Sequence, residues 1–309
     1  MKTTNLYIKI AHWYYAQKMT QEEIAKRLNT TRQKINHIIS LLPEMGIVSI
    51  SINQFDESNV ALESKIEETF HIKRAIVVET YGKKDFLPEL AERASNYMEE
   101  TIKKNMTIGV SWGETLAASI SRMSFLNRQN CKVVQMVGAQ NIDSEMIKSD
   151  DIARSLSEKL SCVSYMLYAP VVLEKEMTKE SLMKERAIRH TFDIIKQCDV
   201  AFVEIGQLDR QATMYRRGLM TLSDIQSLRH DGFIADLCMN PIKSNGSHED
   251  CKMRKRIISA NMDLLKNIPE VVAIAGGEDK TQAIKACLKS GAVDTLIIDD
   301  KTAALMMNS

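Results

Sequence analysis

The sequence predicts an α/β protein in which a small helix-turn-helix domain precedes a larger Rossmann-like α/β domain. The first observation is a series of short apolar runs beyond residue 70 that alternate with segments of helical periodicity, as in parallel sheets covered by helices on both faces. The second is that residues 1–52 carry three segments with apolar residues at helical spacing. The third is charge, because residues 1–52 carry a net charge of +4 and the rest of the chain −3.

Composition excludes several classes of protein. With 309 residues, of which 44% are hydrophobic and 26% charged, the chain has enough apolar material for a core and is not expected to be disordered. The net charge of +1 indicates no nucleic-acid partner until the chain is divided at residue 52. No stretch of about 18 apolar residues is present, so no membrane span is expected, and no secretory signal is recognised.

The six cysteines are widely spread, with no pair at metal-ligand spacing. They are expected to be reduced, mostly buried thiols of a cytoplasmic protein, and no metal or cofactor is predicted. The chain also lacks Walker A, HExxH and GxGxxG sequences, and no Ser-His-Asp set can be selected from its six histidines. No catalytic residue is therefore predicted.

The N-terminal domain, predicted over residues 1–52, begins with three helices. Thr20–Glu23 has the sequence of a capping box, in which the threonine hydroxyl and the glutamate carboxylate each bind the other residue's backbone N–H, and it starts the second helix. A polar turn over Asn29–Thr31 leads to a third helix, which ends at Pro43. The alternation of apolar and polar residues over Ile47–Ile52 predicts a half-buried strand.

The second and third helices form a helix-turn-helix pattern. The third helix is apolar along one face from Ile35 to Leu42 and polar along the other. The polar face of such a helix can enter the major groove of DNA, where arginine suits guanine edges and glutamine or asparagine suits adenine edges. The residues predicted to bind DNA are Thr31, Arg32, Gln33, Lys34, Asn36 and His37. The alternative is a plain three-helix domain whose polar face is only solvated.

The larger domain is predicted over residues 53–309 and begins with a short polar linker. An amphipathic helix over Leu62–Phe70 follows, and then six strands. These strands are predicted over Ala75–Val78, Met106–Val110, Val133–Val137, Val200–Ile205, Val271–Ala275 and Leu296–Ile298. Helical patterns between them predict βαβ units in a mostly parallel sheet.

Three glycine-containing loops follow strands and are expected to converge at the carboxyl edge of the sheet, where open α/β sheets bind ligands. In Gly109–Thr115 the backbone can approach an anion, and the N–H groups of the next helix can hold a phosphate. Val134–Gln140 offers Gln135 and Gln140 to sugar hydroxyls. Val271–Lys280 places Lys280 at the start of a helix, where a cation is unfavourable unless an anion lies nearby. Each loop also has a purely structural interpretation as a turn between strand and helix.

In this order, the motifs resemble the SorC-type (SorC/DeoR) family of bacterial sugar-binding transcriptional regulators along essentially the whole chain. Near the N-terminus the resemblance is carried by Tyr14–Leu28 and Gly46–Val48. In the larger domain it is carried by Gly109–Thr115, Val133–Met136, Ala169–Pro170, Gly206, Arg217–Gly218, Gly232–Cys238, Ala275–Ile284 and Val293–Asp299. The joint order and spacing of these motifs makes the resemblance specific.

The resemblance implies a fold similar to that of sugar-phosphate isomerases and glucosamine-phosphate deaminases, in a protein that binds a phosphorylated sugar or sugar alcohol and performs no chemistry. It also implies operator DNA as a partner and assembly into a homo-oligomer, a dimer or tetramer. The implied phosphate ligands are Gly109, Ser111, Gly113, Thr115 and Lys280. The implied readers of sugar hydroxyls are Gln135 and Asp236, and Trp112 and Gly138 complete the predicted effector site.

The sequence departs from the family at several positions. Val137 stands where some members carry a lysine able to form a Schiff base, so a covalent sugar adduct is not expected. The segment after Cys238 lacks the family's usual Arg-Phe-Phe-Asp character, which leaves the effector's identity open. The third helix lacks the usual basic residues at His37, Ser40 and Leu41. Weaker anchoring on DNA phosphates, or a different operator contact, is therefore expected.

Three functions are open from the sequence. The first is a DNA-binding regulator of a carbohydrate-utilisation operon that a phosphorylated sugar or sugar alcohol controls. The second is an enzyme similar to a sugar-phosphate isomerase or deaminase with an added helical domain, for which Asp236 could act as base but no acid partner is evident. The third is a metabolite-binding protein that has lost DNA binding. If the first function is correct, tight operator binding is predicted to need several N-terminal domains, called heads below, in one oligomer, because the third helix of each carries few cations.

Overall fold

The computed structural model describes residues 3–48, 59–139, 149–209, 212–216 and 218–308. By compactness the chain divides into two units, Met1–Phe55 and Asp56–Ser309. The predicted boundary after residue 52 and the predicted linker fall outside the described residues, so the domain limits stay a prediction.

The first unit is helical. Its elements are α1 (Thr3–Ala11), a turn of π-helix (His12–Ala16), α2 (Gln21–Arg27) and α3 (Arg32–Leu41). The capping box is confirmed at the start of α2: the Thr20 hydroxyl accepts from the Glu23 N–H at 3.2 Å, and the Glu23 carboxylate accepts from the Thr20 N–H at 2.7 Å. Thr31 caps α3 by accepting from the Lys34 N–H. The strand predicted over Ile47–Ile52 lies outside the described residues from residue 49 onward.

The core of the first unit lies between its helices. Its larger aliphatic side chains are Ile10, Ile24, Ile35, Ile38, Ile39 and Leu42. Two cations contact the buried Trp13 ring, with the Lys9 ammonium 5.2 Å and the Arg27 guanidinium 4.6 Å from its centroid. The inward apolar face predicted for α3 is therefore confirmed.

The described part of the second unit contains nine strands. These are β1 (Arg74–Val78), β2 (Thr107–Val110), β3 (Lys132–Gln135), β4 (Val163–Tyr165), β5 (Val200–Gln207), β6 (Phe233–Leu237), β7 (Asn240–Lys243), β8 (Val271–Ile274) and β9 (Thr295–Asp299). Seven strands run parallel in the order β1-β9-β8-β5-β2-β3-β4. β6 and β7 form an antiparallel hairpin that pairs with the end of β5. The predicted α/β fold with a mostly parallel sheet is confirmed.

Helices cover both faces of this sheet. They are α4 (Asn59–Phe70), α5 (Leu87–Thr101), α6 (Glu114–Arg122), α7 (Ser149–Leu160), α8 (Glu176–Met183), α9 (Arg186–Ile195), α10 (Thr213–Arg216), α11 (Leu222–His230), α12 (Met262–Lys266), α13 (Thr281–Lys289) and α14 (Asp300–Asn308), with 3₁₀ turns at Lys252–Arg256 and Glu278–Lys280. On β5, Ala201 and Val203 join one core with α9 and α13, whereas Val200 and Phe202 join another with α5, α6 and α7. Alternate residues of β5 pack on opposite faces of the sheet, and both faces are covered by helices. The residues on both faces are therefore apolar, and the sequence of the strand is a continuous apolar run.

Three strands, β4, β6 and β7, are not predicted by the sequence. β4 has only three residues at the edge of the sheet, and its Val163 side chain is 56% exposed. β6 and β7 interleave polar residues such as Asp236 and Asn240 with apolar ones. None of the three therefore shows the continuous apolar run that marks the central strands.

The strand order reverses between β2 and β5. From β2 the chain extends the sheet through β3 and β4, and it then returns to β5 and extends the sheet the other way through β8 and β9. This reversal leaves a crevice outside the carboxyl ends of β2 and β5, where ligands of open α/β sheets bind.

Among the described residues, no helix is long and apolar enough to span a membrane, and no group of acidic, histidine and cysteine side chains is arranged to hold a metal ion. The six cysteines carry free thiols, five of them buried.

Candidate functional site

A cavity of about 510 Å³ lies at the crevice between β2 and β5. The loop after β2, the end of β5, the β6–β7 hairpin and the loop after β8 all contribute to its wall. Its lining among the described residues is Asp85, Phe86, Leu87, Ser111, Trp112, Gly113, Glu114, Thr115, Glu204, Ile205, Gly206, Gln207, Met214, Arg216, Asp236, Cys238, Gly276, Asp279 and Lys280. The predicted convergence of the first and third glycine loops is thus seen in the structure.

The structure brings six of the nine predicted effector residues to this cavity. They are Ser111, Trp112, Gly113, Thr115, Asp236 and Lys280. The other three, Gly109, Gln135 and Gly138, do not line it.

Packing explains where these three residues lie. A Cβ added to Gly109 would lie 2.3 Å from the Met136 sulfur, and one added to Gly138 would lie 2.6 Å from the Ala169 carbonyl oxygen. Both glycines therefore permit close approach within the protein. The Gln135 side chain is fully buried, and its Nε2 donates to the Val137 carbonyl at 2.7 Å. Its polarity satisfies backbone groups inside the fold, and Gln140, also considered from the sequence, lies outside the described residues.

Glu204 is the cavity residue that the sequence does not predict. Its Oε1 accepts a hydrogen bond from the Leu116 N–H, in the first turn of α6, at 2.6 Å. A Cβ added to Gly113 would lie 2.0 Å from Glu204 Oε2, so the carboxylate rests directly on the glycine loop. The helix N-terminus where a phosphate was expected therefore already holds a carboxylate. The sequence signal for a functional role of Glu204 is its position as the one acid within the apolar run Val200–Ile205.

Ser111 is also engaged by β5 rather than left to a ligand. Its backbone N–H donates to the Phe202 carbonyl, and its Oγ accepts from the Glu204 N–H at 3.1 Å. Ser111 as a whole residue is 1% exposed. Ser111 thus joins the loop after β2 to β5 and fixes the backbone from which Glu204 projects.

Asp236 is a second acid in the cavity, and it is buried. Its Oδ2 accepts from the Met239 N–H at 3.1 Å, which holds the carboxylate at the β6–β7 turn. Burial raises the pKa of Asp236, with a smaller contribution from the neighbouring Glu204, and the Met239 N–H and the Lys280 ammonium lower it; the resulting pKa is about 7. Burial likewise raises the pKa of Glu204 to about 7, against the effects of Lys280 and the α6 backbone. The cavity therefore contains two acids that titrate near neutral pH.

Lys280 is placed by a hydrogen-bonded loop after β8. The Gly277 N–H donates to Asp299 Oδ2 at 3.0 Å and to the Thr302 hydroxyl at 2.9 Å, and the Lys280 N–H donates to the Gly277 carbonyl. Gly277 has φ +106°, a conformation that favours glycine. These bonds set Lys280 at the start of α13, on the cavity that Glu204 and Asp236 also line.

The candidate nucleic-acid interface is the polar face of α3. All six predicted residues, Thr31, Arg32, Gln33, Lys34, Asn36 and His37, are exposed. Asn36 Oδ1 accepts from Gln21 Nε2 at 3.0 Å, which links α3 to the first turn of α2. The face offers two cations, Arg32 and Lys34, beside amide and imidazole groups that can bind base edges.

Comparison with known proteins identifies the larger unit. Residues 56–308 match the family model described as "Putative sugar-binding domain". The deoxyribonucleoside regulator of Bacillus subtilis (strain 168) is 26% identical over 305 residues, which cover 98% of this chain and 97% of the relative. The erythritol catabolism regulatory protein EryD of Brucella abortus (strain 2308) is 24% identical over 98% of this chain and 96% of its own length.

The solved structure of the full-length sorbitol operon regulator SorC from Klebsiella pneumoniae has the same fold. It aligns with a TM-score of 0.76 at 23% identity, over 98% of each chain. The family model spans most of the chain, and the curated relatives extend over nearly all of it. The chain therefore belongs to the family defined by this sugar-binding domain. It is a SorC-type (SorC/DeoR) transcriptional regulator and not an enzyme.

Proposed function

We propose that this chain regulates a carbohydrate-utilisation operon by binding operator DNA through α3, under the control of a sugar or sugar alcohol held in the cavity between β2 and β5. The observation that carries the proposal is the pair of acids, the partly buried Glu204 and the buried Asp236, on the wall of a cavity at the strand-order reversal. Carboxylates are strong acceptors for sugar hydroxyls. The names of the relatives point to small polyhydroxy compounds, namely a deoxyribonucleoside, erythritol and sorbitol.

The proposed effector-binding residues are Trp112, Gly113, Thr115, Asp236 and Lys280, which the sequence predicts and which line the cavity, together with Glu204. Ser111 also lines the cavity, but its hydroxyl binds the backbone of β5. Asp236 and Glu204 accept hydroxyls, Lys280 donates to an effector oxygen, and Trp112 provides an apolar wall for the carbon skeleton. The sequence predicts a phosphorylated effector, and the cavity offers Lys280 and Arg216 as cations for it. The carboxylate at the start of α6 opposes a phosphate at that position.

We further propose that the regulator acts in the cytoplasm as a homo-oligomer, a dimer or tetramer. The exposed face of α3 presents only two cations, so one head makes few phosphate contacts. Two or more heads on paired half-sites supply the missing electrostatic free energy and add sequence specificity. Effector binding then controls operator affinity by changing the spacing and orientation of the DNA-binding domains in the oligomer.

The DNA interface is tested by fluorescence anisotropy with duplexes from upstream of the gene. Arg32→Ala and Gln33→Ala are each expected to weaken operator binding by about 1–3 kcal/mol, because each removes a base contact, and to leave effector binding unchanged. Arg186→Ala, a substitution in the second unit, is the control. Unchanged operator affinity in both α3 variants would remove this helix from the interface.

The effector site is tested with Asp236→Asn. This change keeps the shape of the side chain but replaces an acceptor oxygen by an amide donor, so the response of operator binding to effector is expected to fall at least tenfold while affinity without effector is kept. Asp231→Asn, at an exposed aspartate just before β6, is the matched control. An unaltered effector response in Asp236→Asn would place the effector elsewhere.

A further inference from the structure

The position where α6 begins is already filled by a group of this chain. The Glu204 carboxylate accepts from the Leu116 N–H at 2.6 Å and interacts with the Thr115 N–H, so it uses donors that a helix N-terminus offers to an anion. The same carboxylate lies against Gly113, whose missing Cβ leaves it room: an added Cβ would lie 2.0 Å from Oε2. The Glu204 carboxylate therefore occupies the space that Gly113 leaves free at the N-terminus of α6.

We infer that Glu204 is a specificity-determining residue whose carboxylate takes the place of an effector phosphate, so that the cavity binds an unphosphorylated sugar or sugar alcohol in preference to its phosphate monoester. This inference rests on the proposed function, because it names the chemical class of the effector for the same cavity.

Steric exclusion is the first reason. A phosphate at the start of α6 would need the Leu116 N–H group and the space over Gly113, and Glu204 occupies both. The backbone of β5 cannot withdraw from this position, since the Ser111 hydroxyl accepts from the Glu204 N–H and β5 pairs with both β2 and β8. A ligand phosphate would have to displace a side chain that the surrounding strands hold in place.

Charge is the second reason. The described lining carries five carboxyl groups and two cations: Asp85, Glu114, Glu204, Asp236 and Asp279 against Arg216 and Lys280. A phosphate monoester brings up to two further negative charges into this acidic surrounding, and like charges at short range disfavour binding. Hydroxyl groups carry no such penalty.

Hydrogen bonding is the third reason. A carboxyl group keeps acceptor lone pairs in either protonation state and offers about four when it is ionised. The Leu116 and Thr115 N–H groups satisfy part of this capacity at Glu204, and the Met239 N–H satisfies part of it at Asp236. The remaining acceptor sites face a cavity whose natural donors are the hydroxyls of a polyol, and the Lys280 ammonium complements them by donating to a ring or hydroxyl oxygen.

Inorganic phosphate tests the inference directly, with calorimetric titration of the full-length wild type, Glu204→Gly and Glu204→Gln. Glu204→Gly uncovers the α6 N–H groups and is expected to bind phosphate at least tenfold more tightly than the wild type. Glu204→Gln removes the charge but keeps the site filled, so it is expected to gain much less. Circular dichroism melts establish that each variant is folded, and Glu204→Ala replaces Glu204→Gly if the glycine weakens β5.

A failure of both the glycine and the alanine variant to gain phosphate binding would overturn the inference, as would tight phosphate binding by the wild type. Titrations with sorbitol, erythritol and deoxyribose, each beside its own monophosphate, give a second readout. Any pair whose phosphorylated member binds the wild type more tightly contradicts the inference. These titrations use no DNA. Failure of the proposed function would appear as loss of operator binding, and it is therefore measured separately from failure of the inference about Glu204.

Discussion

Glu204 and Asp236 share one face of the sheet because of strand geometry. Glu204 and Gly206 lie two residues apart on β5, and Gly206 pairs with Asp236 on β6. The lack of a side chain at Gly206 leaves room for the neighbouring acid, since an added Cβ would lie 2.0 Å from Asp236 Oδ1. A glycine is therefore needed at this position, and the strand register brings two carboxyl groups to one cavity.

The ionisation of Glu204 predicts how stability depends on pH. Burial raises its folded-state pKa from 4.5 to about 7, so the folded state binds the proton more tightly than the unfolded state. The resulting stabilisation is complete below about pH 4.5 and is lost as the pH rises to about 7. Glu204→Gln imitates the protonated acid and is expected to become more stable than the wild type, by on the order of 1–3 kcal/mol, between pH 5 and pH 8.

Urea unfolding of both proteins at pH 5, 6, 7 and 8 measures this difference. Glu114→Gln is the control, because Glu114 lies on the same cavity but is exposed. A difference between wild type and Glu204→Gln that stays constant with pH, or that grows toward low pH, would show that Glu204 is ionised in the folded protein throughout this range.

Two helices, one in each unit, begin with the same device. Thr20 and Glu23 form a capping box at α2, and Thr221 and Asp224 form one at α11. In both, the threonine hydroxyl accepts from the third residue's N–H, and the acid accepts from the threonine N–H. Because α2 precedes the candidate recognition helix and α11 precedes β6, each box supports one of the two candidate sites.

The paired capping boxes give a reciprocal prediction. Thr20→Ala is expected to destabilise α2 by about 1 kcal/mol, and Thr221→Ala to destabilise α11 by about the same amount. Hydrogen exchange followed by mass spectrometry measures protection in each helix separately. Each variant serves as control for the other, and a loss of protection in both helices from one substitution would contradict the local origin of the effect.

Elements with a local cause could be predicted from the sequence, whereas sites built by distant segments could not. The start of α2 follows from Thr20 and Glu23 alone, and α13 follows from its apolar face and flanking residues. The place of Glu204 over the α6 N-terminus depends on the pairing of β2 with β5. Gln135 shows the reverse case, because its polar side chain suits a ligand but binds backbone groups within the core.

Over the whole molecule, charge is divided between the two units. The first 52 residues carry +4 and the rest −3. Near-neutral total charge hides this division, and the acidic lining of the cavity lies in the second unit. A basic head and a slightly acidic body favour approach to DNA through the head, since the rest of the molecule is repelled by the phosphate backbone.

The number of heads that engage one operator can be read from salt dependence. The slope of log K against log salt concentration changes by about 0.9 for each phosphate contact on B-DNA. Lys34 is exposed beside Arg32 on α3, and we expect it to contact one phosphate in each bound head. Lys34→Ala should therefore reduce the magnitude of the slope by about 1.8 if two heads bind together and by about 3.6 if four do.

Anisotropy titrations between 50 and 300 mM salt measure both slopes, with Lys196→Ala as the control. Lys196 lies in the second unit and pairs with Asp193, so its removal should leave the slope unchanged. A reduction of only about 0.9 would mean that one head binds alone, which contradicts the proposed oligomeric mechanism. No reduction would exclude Lys34 from phosphate contact. Because few cations are available per head, this count decides whether operator affinity arises within one unit or from the assembly.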